Sequence, residues 1–321
     1  MIRRTIKLAA LAAAATLALA ACSSSSSSTT TPASTASQST SAAADGFTAP
    51  ADGDKGGKDD PVKIGVVGAS GPQWKIFKEL AEKSGIYVDI QDFTDYQQPN
   101  PATTSGELDL NQFQHILFLA DYNNNSGGDL VPIGATAIYP LALYSKQYTS
   151  LDEIPQGATV AVPNDGTNQA RALGVLASAG LLTLKDGTPS LSATPADIDT
   201  ASSKVTVTPV AADQTARSLD DKSVAAAIVN NDYVTDAGLD PQKALAQDDP
   251  SSDSARPFIN IWVSTAANKD NPVFLKLVEI SHDPTVEAAL QENSGNTAVI
   301  VHDSAEQLQT YLADTEAQLK G

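Results

Sequence analysis

The run Pro163-Asn164-Asp165-Gly166-Thr167-Asn168-Gln169-Ala170-Arg171 holds the residue types that bind an anion. It stands between a β-rich stretch and a helical one, so Asp165 or Thr167 can cap the helix while first-turn N–H groups point outward. Arg171 follows about one turn in, and free N–H groups, the helix dipole and a guanidinium together suit a carboxylate or phosphate. The same spacing equally describes a well-capped helix with Arg171 on its surface. A second constellation is Phe93-Thr94-Asp95-Tyr96 with Gln98-Pro99-Asn100, followed by Asn111-Gln112-Phe113-Gln114-His115. Tyr96, Phe113 and His115 could wall a pocket for an apolar, polarizable group such as a thioether. Taken alone, His115 is more simply a partly buried helix histidine. Asn230, Asn231 and Asp232 follow the apolar run Ala225–Val229, at a strand's C-terminal end, where ligands of open α/β sheets bind.

Other patterns carry less. Gly65-Val66-Val67-Gly68-Ala69-Ser70-Gly71 resembles a phosphate loop without the G-x-G-x-x-G spacing, although Asp92 lies at a suitable distance. Asp121, Asn123 and Asn125 imitate a calcium loop, but Ser126 and Pro132 occupy the positions of its glycine and closing glutamate. No G-x-S-x-G or H-E-x-x-H is present, and His115, His282 and His302 are far apart in sequence, so no metal site and no cofactor are expected. Asp220-Asp221 and Asp248-Asp249 are expected to be solvated loops. An extracytoplasmic enzyme stays open as an alternative through a pairing of His115 with Asp95 or Asp232.

The elements that position these residues alternate between β-rich runs and amphipathic helices, which argues for an α/β fold. Strands are expected at Lys63–Gly68, Ile86–Phe93, Leu130–Ile138, Leu141–Ser145, Thr159–Pro163, Lys204–Val210, Ala225–Val229 and Phe258–Val263. Pro72 opens a helix through Trp74, Phe77, Leu80 and Ala81. Thr94–Pro101 is expected to be a loop, and Phe113, Leu117 and Ala120 to lie on one helix ending in the polar turn Asn123–Gly128. Further helices are expected at Thr167–Ala179, from Asp213, and at Pro272–Ile280, Pro284–Glu292 and Ser304–Leu319.

The N-terminus reads as an address. Arg3, Arg4 and Lys7 precede the apolar stretch Leu8–Ala21, which ends in Leu19-Ala20-Ala21-Cys22. That is a secretory signal peptide closed by a lipobox, in which cleavage leaves a lipid-modified Cys22. Cys22 is the single cysteine, so no internal disulfide is available. The Ser-, Thr- and Ala-rich segment that follows has too little apolar surface to order itself. The expected organisation is residues 1–21 as signal peptide, 22–60 as lipidated flexible tether, 61–144 plus 256–321 as one lobe, and 145–255 as the other. With 20 Lys plus Arg against 38 Asp plus Glu, a net charge of −18, the surface repels phosphate backbones and nucleic acid is not an expected partner.

These stretches, with Leu143-Tyr144-Ser145-Lys146, Ala225–Tyr233 and Ala237-Gly238-Leu239, occur in an order that resembles the NlpA-type lipoproteins, methionine-binding components of ABC importers. The resemblance runs from about Lys63 to about Glu292. It implies a periplasmic-binding-protein-like architecture of two α/β lobes with a ligand cleft between them, and capture rather than catalysis. It also implies that Arg171, with Asn168 and Asn164, holds the ligand's α-carboxylate, that Asn230 and its neighbours meet the α-amino group, and that Tyr96, Phe113 and His115 enclose the thioether. The implied partners are L-methionine or a related amino acid, an ABC permease, and the membrane through lipid on Cys22 at the extracytoplasmic face. A monomer is expected. The chain departs from its relatives at Gln112, where an aromatic residue is common, and at Asp232, where Asn is common. These departures leave another amino acid or a methionine-containing dipeptide as alternative ligands. A non-transport adhesin or scaffold is a further alternative, suggested only by the anchor and tether.

Overall fold

The computed structural model describes residues 47–320. The expected signal peptide, lipidated Cys22 and most of the expected tether lie outside the described residues. The first sheet takes the order β2-β1-β3-β11-β4, from β1 (Val62–Val67), β2 (Val88–Phe93), β3 (Leu110–His115), β4 (Leu130–Ala135) and, much later, β11 (Asn260–Thr265). β1 pairs parallel with β2 and β3, whereas β11 runs antiparallel between β3 and β4. The second sheet repeats this plan in the order β10-β6-β9-β7-β8, from β6 (Ala142–Tyr144), β7 (Ala158–Pro163), β8 (Val205–Val210), β9 (Val224–Val229) and β10 (Ala246–Gln247). Its parallel trio β8-β7-β9 is likewise followed by an antiparallel strand, β6. A small third pairing joins β5 (Ala137–Ile138) to β12 (Val299–Ile300).

The inner parallel strands β7 and β9 are covered on both faces, and their sequences are accordingly apolar almost throughout. In β9, Val-Ala-Ala-Ala-Ile-Val is buried from its second residue to its last. Helix α1 (Pro72–Lys83) begins with a proline at its first position, where no N–H is needed, and buries Trp74, Phe77 and Ala81 against the first sheet. Trp74, Phe77 and Trp262 meet there with ring centroids 5.4 to 6.0 Å apart. Helices α6 (Pro272–Ser281) and α7 (Pro284–Asn293) complete that face through Phe274, Leu277 and Val286. The other face packs α3 (Ile116–Ser126) and α8 (Ala305–Lys320), where Leu308 and Leu312 join Ile116, Leu119 and Leu130. The second lobe centres on α4 (Gly166–Ser178), whose Ala170, Leu173 and Leu176 are wholly buried, with α5 (Ala212–Ser218) on the opposite face. The chain crosses between the sheets at Tyr139–Leu141 and returns after β10.

Five expectations are corrected. Phe113 does not lie on a helix: Leu110–His115 is a strand, and α3 starts only at Ile116. Phe113, Leu117 and Ala120 recur at helical spacing, but Asn111 and Gln114 satisfy their amides sideways, with Asn100 and Thr103, which a strand allows. The expected loop 94–101 becomes helical from Pro99, as α2 (Pro99–Ser105), because Pro99 and Pro101 both fall in the first turn, whose N–H groups have no intrahelical partner anyway. The polar residues Asn123–Ser126 stay within α3, which ends at Gly127 in left-handed conformation. Finally, residues 47–60, assigned by composition to the tether, pack on the first lobe. Phe47 joins its core, Tyr87 N–H donates to Gly56 O at 2.8 Å, and Lys55 pairs with Asp60 and Asp109 at 2.7 and 3.2 Å. Glycine serves a turn here: Gly56 sits at φ +90°, and a Cβ there would come within 2.7 Å of Val273. The lobe boundary also shifts, since residues 142–144 belong to the second sheet.

Candidate functional site

The C-terminal ends of the parallel strands in both sheets face one cleft, which encloses about 400 Å³ of empty space, part of it open to solvent. The first lobe contributes Tyr96, Phe113, His115 and Phe118, the second Asn168, Arg171, Asn231 and Asp232, and the crossover Tyr139, Pro140 and Leu141. Strand β3 ends in the pocket, which is why Phe113 and His115 reach it. Gln112, on the opposite side of the pleat, turns to a different cavity and stands 3.4 Å from Thr136 Oγ1. The departure at Gln112 therefore does not touch the cleft.

The anion-binding run folds as its residue types suggest. Asp165 caps α4, and its Oδ1 accepts from the backbone N–H and Nδ2 of Asn168 at 2.9 and 3.0 Å and from Thr167 Oγ1 at 3.1 Å. Burial raises the Asp165 pKa, against these hydrogen bonds. Arg171 is not a surface residue; its side chain is 6% exposed. Its Nε donates to Asp248 Oδ2 at 2.6 Å, and its Nη2 donates to Asp248 Oδ1 at 3.2 Å and to Tyr139 O at 2.7 Å. The guanidinium carbon lies 4.1 Å from the Phe258 ring centroid. Among the described residues Nη1 has no hydrogen-bond partner, so it is the nitrogen left for a ligand. Asp248 is thus no solvated loop residue. It forks the guanidinium and also accepts the Leu141 N–H at 2.8 Å, tying α4 to the crossover.

His115 caps α3, its Nδ1 accepting the Phe118 N–H at 3.1 Å, so the ring proton is on Nε2, 3.2 Å from Asn168 Oδ1. Burial first, and the Arg171 charge second, push its pKa down to about 3, so the imidazole is neutral at ordinary pH. Asn230 Nδ2 donates to the same Asn168 oxygen at 3.0 Å, and Asn230 Oδ1 is buried with no hydrogen-bond partner among the described residues. Asp232 Oδ2 accepts the Tyr96 hydroxyl at 2.7 Å across the cleft. Burial raises its pKa to about 6, the Tyr96 bond opposing and the Asp236 charge adding to the shift. Tyr96, Phe113, Phe118 and Tyr233 form an aromatic cluster with centroids 5.4 to 6.1 Å apart. Tyr96–Asp232, His115–Asn168 and Tyr233 Oη to Thr94 O at 3.1 Å all cross from lobe to lobe, so the cleft is closed.

Six of the eight expected binding residues line this cleft, and Asn230 joins them through its bond to Asn168 Oδ1. Asn164 is the exception, exposed ahead of the Asp165 cap and absent from the cavity wall. Among the described residues His115 pairs with neither Asp95 nor Asp232. His115 meets an amide rather than a carboxylate, and Asp95 is exposed and accepts the Gln97 N–H. The phosphate-loop resemblance also resolves, because Asp92 Oδ1 accepts the Gly68 and Ala69 N–H groups at 3.1 and 3.0 Å, occupying the amides a phosphate would use. Sequence spacing missed Asp248, Phe258, Phe118 and Tyr139. Only an acid in a chain with few arginines hinted at the first. Distance along the chain likewise hid that His282 and His302 come together, with ring centroids 4.4 Å apart.

Residues 62–301 match the NlpA lipoprotein family. The D-methionine-binding lipoprotein MetQ of Salmonella typhi is 39% identical over 232 residues, 71% of this chain and 84% of that protein. MetQ of Escherichia coli K12 is 38% identical over the same span. Among solved structures, the substrate-binding protein of a methionine transporter from Streptococcus pneumoniae is 39% identical with a TM-score of 0.69, covering 75% of this chain and 95% of its own. A nutrient-binding protein from Burkholderia cenocepacia bound to methionine is 36% identical with a TM-score of 0.67, covering 74% and 99%. The architecture is that of periplasmic substrate-binding proteins, two α/β lobes about a cleft, and the chain belongs to the NlpA lipoprotein family.

Proposed function

We propose that this protein captures methionine in the closed cleft and delivers it to an ABC importer. The observation that carries this reading is the arrangement of opposite poles about an aromatic wall. Arg171 Nη1 offers a donor for an α-carboxylate, Asn230 Oδ1 and Asp232 offer acceptors for an α-ammonium, and Tyr96, Phe113 and Phe118 supply the faces a thioether prefers. The relatives named for methionine binding support the same ligand. Binding rather than catalysis is supported by the relatives, which are named as methionine-binding proteins. Lobe closure buries the ligand, and the closed shape is what a permease would recognise.

Cys22 carries the lipid that holds the chain at the extracytoplasmic face of the membrane, and the chain acts as a monomer. The lipobox supports the anchor, and among the described residues no helix is long and apolar enough to cross a membrane. Labelled fatty acid should be incorporated into the native chain and not into Cys22→Ser; equal labelling of both would overturn the anchor. For the ligand, calorimetry on protein unfolded and refolded to remove bound molecules should show saturable one-to-one binding of L-methionine. Heat with D-methionine or Gly-Met but none with L-methionine would replace the assigned ligand.

A further inference from the structure

We propose that His282, Glu287 and His302 form a divalent transition-metal site of the zinc class, separate from the methionine cleft. His282 follows α6, Glu287 lies in the first turn of α7, and His302 follows β12, so the α6–α7 junction meets the segment after β12. His282 Nδ1 lies 2.8 Å and His302 Nε2 3.5 Å from the same oxygen, Glu287 Oε1, and the three ligand atoms all fall within 4.8 Å of one another. Metal–ligand bonds of about 2.0–2.2 Å in tetrahedral geometry put ligand atoms roughly 3.3–3.5 Å apart, so small side-chain adjustments suffice. Two imidazoles and one carboxylate are a donor set that zinc takes with a water in the fourth position.

The surroundings favour an ion over a bare ion pair. His282 and Glu287 line a partly open cavity on the Gln112 side of β3 with about 30 Å³ of water-sized space, enough for a water as the fourth ligand. Gln73 Oε1 lines the same cavity and is buried without a hydrogen-bond partner, an acceptor suited to a metal-bound water. The two rings stand 4.4 Å apart on one carboxylate, so a single dication can be shared by both ring nitrogens and the carboxylate. The net charge of −18 favours cation approach. The bound ion joins α7 to the segment after β12, and β12 pairs with β5 just before the crossover to the second lobe.

The test is calorimetric titration of the full chain in detergent, stripped with chelator, using zinc chloride, with cobalt chloride as a spectroscopic probe and calcium chloride as a control. One saturable equivalent of zinc, cobalt absorption bands of low-coordinate nitrogen ligation, and a zinc-dependent rise in Tm are expected. His302→Ala, at an exposed position that should not disturb folding, should weaken zinc binding by at least about 100-fold, more than loss of an outer-shell partner does. It should also abolish the Tm shift and leave methionine affinity unchanged. Glu287→Gln should act in the same direction. Zinc affinity unaltered in both variants, absence of a saturable equivalent, or equal response to calcium would overturn the site.

Discussion

Replacing Arg171 by Met tests how the cleft holds an anion. Nε and Nη2 are committed to Asp248 and Tyr139, so under the proposed function a ligand carboxylate would meet Nη1 alone, through one charge-assisted bond rather than a fork. Such a bond is worth about 1.5–3 kcal/mol, and stranding a buried carboxylate brings the loss to about 2–5 kcal/mol. With a single donor involved, the lower half applies: about 2–3 kcal/mol, or roughly 30–150-fold in Kd. Arg171→Met also orphans Asp248, whose side chain is 25% exposed and keeps the Leu141 N–H, at a stability cost of about 1–3 kcal/mol. Asp248→Asn in the same chain removes that orphaned charge. Calorimetry with L-methionine, alongside thermal melts, then separates two roles. If Arg171 touches the ligand, Arg171→Met/Asp248→Asn recovers stability but not affinity. Methionine affinity within about threefold of native in the double variant would refute direct contact and make Arg171 a structural partner of Asp248.

Asp232 should couple binding to pH. Its folded pKa of about 6 exceeds the ordinary 3.8, so the stability it contributes is complete below about 3.8 and is lost as pH rises through about 6, at most about 3 kcal/mol. An ammonium ligand favours the charged carboxylate, so methionine should bind more tightly at pH 7.5 than at pH 5 and release a proton near pH 6. Calorimetry in buffers of different ionisation enthalpy reads this, and Asp232→Asn should abolish it; proton release persisting in Asp232→Asn would place the linkage elsewhere. Tyr96→Phe removes the lobe-to-lobe bond to Asp232 and should weaken methionine about 5–30-fold with little change in Tm. Unchanged affinity would mean that this bridge does not hold the closed form. Leu308→Ala, wholly buried between α8 and the first sheet, should cost about 2–5 kcal/mol in urea unfolding while leaving affinity intact. A loss under 1 kcal/mol would show that α8 is only loosely attached.

Much of the site was legible because its parts are local. The Asp165 cap, the amides after β9 and the turn of α4 that carries Arg171 each depend on residues within one turn of one another, and spacing reports such neighbours well. His115 was placed in the pocket for a partly mistaken reason. The expected helix is a strand, and His115 reaches the cleft because β3 ends there, its imidazole then capping the helix that follows. Asn164 shows the limit from the other side. It belongs to the same nine-residue run as Arg171, yet it is exposed, since being near a cap in sequence does not set which way a side chain points.

From the amino acids alone came the address at the N-terminus, the α/β alternation, the chemistry of the cleft and the resemblance to one family. Tertiary structure decided the rest. It chose which guanidinium nitrogen stays free, through an aspartate 77 residues further on. It turned Gln112 away from the ligand, folded residues 47–60 onto the first lobe, and brought His282 and His302 to one carboxylate. The physical reason is range. Capping, propensity and hydrophobic period act over a few residues, whereas charge pairing, burial and the pKa values they set depend on segments that meet only after the chain has folded.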